Sequence, residues 1–188
     1  MPYSEPLFDA KILEILRLIR PETVLDIGPG AGKYGRMIRA LAAEGQTVER
    51  LSAVEIDASY VETFNLGAVY DEIAIGDAGG LPDVGPDAAW DLVILGDVLE
   101  HFRKSRGVDL LDYLYYRTRH ILLVIPVDYV QGAWEGHAAE AHISVWRPED
   151  FQRYRAGLIV ARTEGGQETL LVMINGLRAR PGVDHMFS

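Results

Sequence analysis

Five short apolar runs punctuate the chain: "TVLDI" at 23–27, "RLSAVEI" at 50–56, "DEIAIGD" at 71–77, "WDLVILGD" at 90–97 and "HILLVIP" at 120–126. Between them the apolar residues change to helical spacing, as at Tyr34, Met37, Ile38 and Leu41. Strands alternating with helices cannot be joined by tight hairpins, so they must lie parallel in an α/β sheet. An amphipathic helix leads in over residues 1–20, with Phe8, Ile12, Ile15, Leu16 and Ile19 on one face, and Pro21 stops it. "LIVART" and "ETLLVMI", separated by "EGGQ", read as a closing antiparallel hairpin. The expected fold is therefore a seven-stranded, mostly parallel, doubly wound sheet with an antiparallel C-terminal pair.

The chain of 188 residues carries 48% apolar and 24% charged side chains, which suits one domain over 1–188 with a substantial core. Residues 176–188, "GLRARPGVDHMFS", read as a loose tail. A formal charge of −10 opposes a polyphosphate, and the densest basic cluster is only Arg103, Lys104 and Arg106, so nucleic acid is a poor candidate partner. No membrane span or signal peptide is legible, and a cytoplasmic protein is expected. With no cysteine, thiolate metal sites and cysteine nucleophiles are excluded. Nothing in the sequence specifies an oligomeric state.

The stretch "VLDIGPGAGKYG" can be read in two registers. Gly30, Gly32 and Gly35 make the dinucleotide pattern, whereas Gly28, Gly30 and Gly32 make a G-x-G-x-G that follows the strand directly. In the first register, Gly28 and Pro29 would intrude between strand and fingerprint. Asp26 also opposes a pyrophosphate, which binds at the helix N-terminus over such a loop, and suits a cationic ligand. Gly35 is then a small residue that lets the helix pack on the sheet.

"VLDIGPGAG", "AVEID", "IGDA" and "WDLVILGDVLEHF" follow one another at successive strand ends. In order and spacing they resemble the motifs of class I S-adenosylmethionine-dependent methyltransferases, over residues 20–126. The resemblance implies that Gly28, Gly30 and Gly32 line the methionine part of S-adenosyl-L-methionine, with Asp26 near its ammonium. It implies that Glu55, beside Ile56, takes the ribose hydroxyls, and that Asp77 and Ala78 meet the adenine. Gly96 and Asp97 would stand near the sulfonium and the entering substrate. Local alternatives exist: Asp57 competes with Glu55 but reads better as a helix cap, as Ser59 with Glu62 reads as a capping box, and both Asp77 and Asp97 could cap the turns they precede. The sequence departs from the family at "AGGLPDVGPDAA", whose prolines and glycines cannot form the usual long helix.

Methyl transfer needs a positioned nucleophile and a base only where a proton must leave. His101 in "VLEHF" is the candidate base, with Asp97 beside it. The segment after the fifth strand carries Tyr129, Trp134, His137, His142 and Trp146, a set suited to a lid over the acceptor. No metal site is expected, because His137 and His142 are five apart rather than the four that share a helix face. Glu135 and Glu140 do not repair that spacing. No "NPPY" or "DPPY" follows the fourth strand, which disfavours nucleobase amino-methylation. The resulting expectation is O- or N-methylation of a small molecule or polar metabolite. The alternatives are a catalytically silent cofactor-binding sensor or partner subunit, and a nicotinamide oxidoreductase.

Overall fold

The computed structural model describes residues 4–84, 88–133 and 140–179. Its strands fall on the apolar runs: β1 Thr23–Ile27, β2 Arg50–Glu55, β3 Glu72–Ile75, β4 Trp90–Gly96, β5 Thr118–Pro126, then β6 Ala156–Arg162 and β7 Glu168–Asn175. They form one sheet in the order β3-β2-β1-β4-β5-β7-β6. β1 to β5 are parallel to one another, while β7 runs antiparallel to both β5 and β6. The seven-stranded sheet with its antiparallel pair is the one expected.

The central strands read as unbroken apolar runs because both of their faces are covered. Leu92 and Ile94 of β4 join one layer, with Leu122 and Val124 of β5. That layer includes Ile12, Ile15 and Leu16 of α1 (Asp9–Ile19) and Ile38 and Leu41 of α2 (Lys33–Ala43). Val93 and Leu95 join the opposite layer, with Ile121 and Leu123 and with Leu110, Leu111 and Leu114 of α5 (Lys104–Arg117). A period-2 strand thus feeds two cores.

Several local expectations are corrected. The leading helix begins as a 3₁₀ turn at Pro6–Phe8, and Arg20 closes α1 in a left-handed conformation just before Pro21. Helix α3 (Ala58–Thr63) is capped by Asp57, as its helix-cap reading has it, with the carboxylate accepting from the Ser59 N–H at 2.9 Å, and the Ser59–Glu62 capping box is not the cap. After Arg147 the chain makes a single 3₁₀ turn, Pro148–Phe151. The tail is docked where it leaves β7: the N–H groups of Gly176, Leu177 and Arg178 donate to Arg119, Tyr115 and Thr118 carbonyls. Residues 180–188 lie outside the described set. Among its described residues, the glycine- and proline-rich stretch before β4 carries a 3₁₀ turn, Ala78–Gly80, and the four-residue α4 (Leu81–Val84), with no long helix. Among the described residues, no helix is long and apolar enough to cross a membrane.

Candidate functional site

The carboxyl ends of β1, β2 and β4 face a common crevice, where open α/β sheets collect ligands. After β1 the chain turns through "GPGAG", and the Gly28 N–H donates to the Val54 carbonyl at 2.9 Å, tying the loop to β2. Gly28, Gly30 and Gly32 all have left-handed backbone, with φ of 64°, 50° and 76°. A side chain there would be strained, so this register, and not the dinucleotide one, carries the conformational demand. Gly35 lies within α2, where an added Cβ would run into the Tyr70 ring. Its smallness admits Tyr70 rather than the sheet.

The crevice encloses a cavity of about 300 Å³ lined by Gly28, Gly30, Glu55, Ile56, Asp77, Ala78, Gly96, Asp97 and His101, among others. That volume is within the range of small-ligand sites. Glu55, at the end of β2, is 3% exposed, and its carboxylate accepts from the Asp57 N–H at 2.9 Å and the Gly30 N–H at 3.4 Å. Burial raises its pKa, and those two amides work against the rise. Gly96 borders the Tyr34 ring so closely that a Cβ there would collide with it. Asp77 caps the 3₁₀ turn Ala78–Gly80 through the Gly79 N–H at 2.8 Å, and its other oxygen holds Arg106 at 2.6 Å. The capping alternative for Asp77 is therefore observed, together with an ion pair that the sequence did not reveal. Opposite the loop, the Tyr60 hydroxyl donates to Glu140 at 3.0 Å, bridging α3 to the segment before β6.

Two expected cofactor residues do not line this cavity. Gly32 serves as the N-cap of α2. Asp26 is fully buried, and the Tyr70 hydroxyl donates to its Oδ2 at 2.5 Å. Burial drives its pKa up to about 7, against the lowering effect of that hydrogen bond. Asp26 therefore makes its polar contact with Tyr70 and is not among the residues that line the cavity. The carboxylates that do line the cavity are Glu55, Asp77, Asp97 and Glu140.

Asp97 follows β4 with φ of 55°, unusual for a residue bearing a side chain. Its N–H donates to the Val124 carbonyl at 2.8 Å, which fixes the turn. His101 ends the next 3₁₀ turn, Leu99–His101, and its Nδ1 lies 3.1 Å from the Ala141 carbonyl. A carbonyl only accepts, so Nδ1 carries the proton and Nε2 keeps its lone pair. Burial lowers the His101 pKa, which favours this neutral form. A second cavity of about 470 Å³ adjoins the first, and Asp97 and His101 line both. Glu100, Tyr129, Gln131 and His142 also border it.

The expected lid set is divided. Trp134 and His137, with Glu135, lie outside the described residues. His142 lines the second cavity, with its ring edge-on to that of His101 at 4.8 Å between centroids. Trp146 is no lid residue: it is 1% exposed, stacks on Phe151 and joins the α5 core. The Lys104 ammonium stands 3.7 Å from its ring centroid. A bridge between Val127 and Trp146 ties the end of β5 to the residue before Arg147.

No family model matches the sequence, and no curated protein matches it either. Solved structures do resemble the fold. The N-terminal domain of EvdMO1, crystallised in the presence of SAH and D-fucose, gives a TM-score of 0.63 at 14% identity, covering 89% of this chain and 82% of that one. Magnesium protoporphyrin IX methyltransferase (ChlM) from Synechocystis PCC 6803, with bound SAH, gives 0.62 at 14% identity, covering 89% and 81%. A SAM-dependent methyltransferase from Archaeoglobus fulgidus gives 0.60 at 17% identity, covering 88% and 93%. The chain has the fold of the class I S-adenosylmethionine-dependent methyltransferases.

Proposed function

We propose that this protein is an S-adenosyl-L-methionine-dependent methyltransferase acting on a small polar molecule by O- or N-methylation. The observation that carries the reading is the wall shared by the two cavities: Asp97 and His101 border both. In this reading the first cavity holds the cofactor. Glu55 accepts from the ribose hydroxyls, Asp77 and Ala78 meet the adenine, and Gly28, Gly30 and Gly96 let the backbone approach the methionine and sulfonium. The acceptor enters the second cavity, and its nucleophilic atom meets the methyl group at the shared wall. The C–S bond breaks as the new bond to carbon forms, and the electron pair leaves with sulfur as S-adenosylhomocysteine. The acceptor's proton passes to a base at that wall, where His101 Nε2 and the Asp97 carboxylate both stand. The solved structures with bound SAH support the choice of cofactor.

The formal charge of −10 favours a small acceptor over nucleic acid. Calorimetric titration with S-adenosylmethionine, followed by an assay for S-adenosylhomocysteine over a panel of hydroxyl and amine acceptors, tests the reading. Tight cofactor binding without product from any acceptor would favour the silent binding module. Stabilisation by a nicotinamide dinucleotide but not by S-adenosylmethionine would sink both.

A further inference from the structure

Glu100 stands in the 3₁₀ turn Leu99–His101, one residue before His101. It is 1% exposed, and neither carboxylate oxygen has a hydrogen-bond partner among the described residues. Its backbone is well used: the Ile143 and Ser144 N–H groups both donate to the Glu100 carbonyl, at 2.8 and 3.1 Å. The His142 N–H donates to Gln131 at 2.9 Å, so His142 is held against the turn that carries Glu100 and His101. His142 Nε2 lies 4.0 Å from Glu100 Oε1, while its Nδ1 faces the Tyr129 carbonyl at 3.4 Å. His101 repeats this arrangement with the Ala141 carbonyl. Each imidazole thus directs a protonated Nδ1 at a backbone carbonyl and leaves Nε2 as a lone pair. Backbone carbonyls orient metal-binding histidines in the same way.

We propose that Glu100, His101 and His142 bind one divalent transition-metal cation of the zinc, manganese or iron(II) kind, facing the second cavity. One ligand atom from each side chain lies within 4.8 Å of the others. Ligands on one tetrahedral ion with bonds of about 2.1 Å stand about 3.4 Å apart, so the three draw together by about 1 Å on binding. Two imidazoles with one carboxylate suit those ions, whereas magnesium and calcium prefer oxygen alone. The cation supplies the charge that Glu100 otherwise lacks, and the positions it keeps open face the cavity. Its function there rests on the methyltransferase reading: it holds and acidifies an acceptor hydroxyl. His101 is then a ligand and not the base, and the acceptor's proton passes to Asp97. The binding site itself does not depend on that reading.

The test is titration of tag-free, EDTA-stripped full-length protein with cobalt(II) chloride, read by visible absorption, and with zinc chloride by calorimetry. One ion per chain is expected, with ligand-field bands for cobalt. Glu100→Gln and His142→Ala should each weaken binding at least tenfold, within or beyond the about 10–100-fold that loss of an outer-shell partner costs. Circular dichroism and the S-adenosylmethionine affinity of His142→Ala, measured without metal, report that the variant is folded. Absence of the bands, or equal affinity in wild type and both variants, overturns the site. Metal binding that persists where S-adenosylmethionine fails to bind would retain the site and sink the proposed function.

Discussion

The Tyr70 hydroxyl donates to the Asp26 carboxyl in the interior, 2.5 Å away and beneath the glycine loop. Tyr70 reaches it from the segment before β3, through the gap left by Gly35 on α2. The pair ties the first strand, the first crossover helix and the edge of the sheet to one another. Asp26 Oδ1 has no hydrogen-bond partner among the described residues, so the pair leaves the carboxyl only partly satisfied.

Asp26→Asn should stabilise the protein, increasingly so as pH rises. Burial pushes the Asp26 pKa up to about 7, with the Glu55 charge adding to it, so the folded state holds a proton that the unfolded state releases near pH 4. Stability therefore falls as pH climbs from about 4 to 7 and levels off above that. Asparagine keeps an acceptor for Tyr70 and does not ionise. Urea midpoints for the two proteins should differ little near pH 4 and most at pH 8. A constant difference across that range would place the Asp26 pKa at its ordinary value.

Gly35→Ala should cost about 1–3 kcal/mol, because the new methyl and the Tyr70 ring cannot share the space. Gly67→Ala is the control, since a Cβ there meets nothing within 4 Å and its change should stay within about 0.5 kcal/mol. Equal denaturation midpoints for the two variants would refute the close packing at Gly35.

Trp146→Ala should destabilise the fold by about 3–5 kcal/mol, the usual cost of emptying a core aromatic site. A lid tryptophan would behave differently, losing turnover while the melting temperature stayed at the wild-type value. Thermal unfolding separates the two cases.

Glu55→Ala should weaken S-adenosylmethionine binding by about 1–3 kcal/mol, through ribose hydroxyls left unpaired and loop amides released. Calorimetry on the variant checks this, and an unchanged affinity would remove Glu55 from the cofactor site.

Much of the architecture is legible in local chemistry. The five parallel strands and the hairpin follow from the period of their apolar residues. The operative glycine register is legible because Gly28 follows the strand directly, and the left-handed backbone at Gly28, Gly30 and Gly32 bears it out, whereas Asp26, being buried, lends it no support. Other features are illegible because their partners are distant in sequence. Asp26 looks the same in "VLDIG" whether it faces a ligand or Tyr70, 44 residues away. Arg106 gives no sign that it will hold Asp77, nor Trp146 that it will stack on Phe151 in the α5 core.

The sequence by itself determined the order of strands and helices, the hairpin and the loop that opens the crevice, since these depend on periodicity and backbone conformation within a few residues. Only the tertiary structure decided which carboxylates enter the cavity and which face inward. It also decided that Trp146 is core and that Glu100 meets two histidines from different segments. A side chain's exposure and its charge partners depend on what the rest of the chain brings against it, and that information is not local.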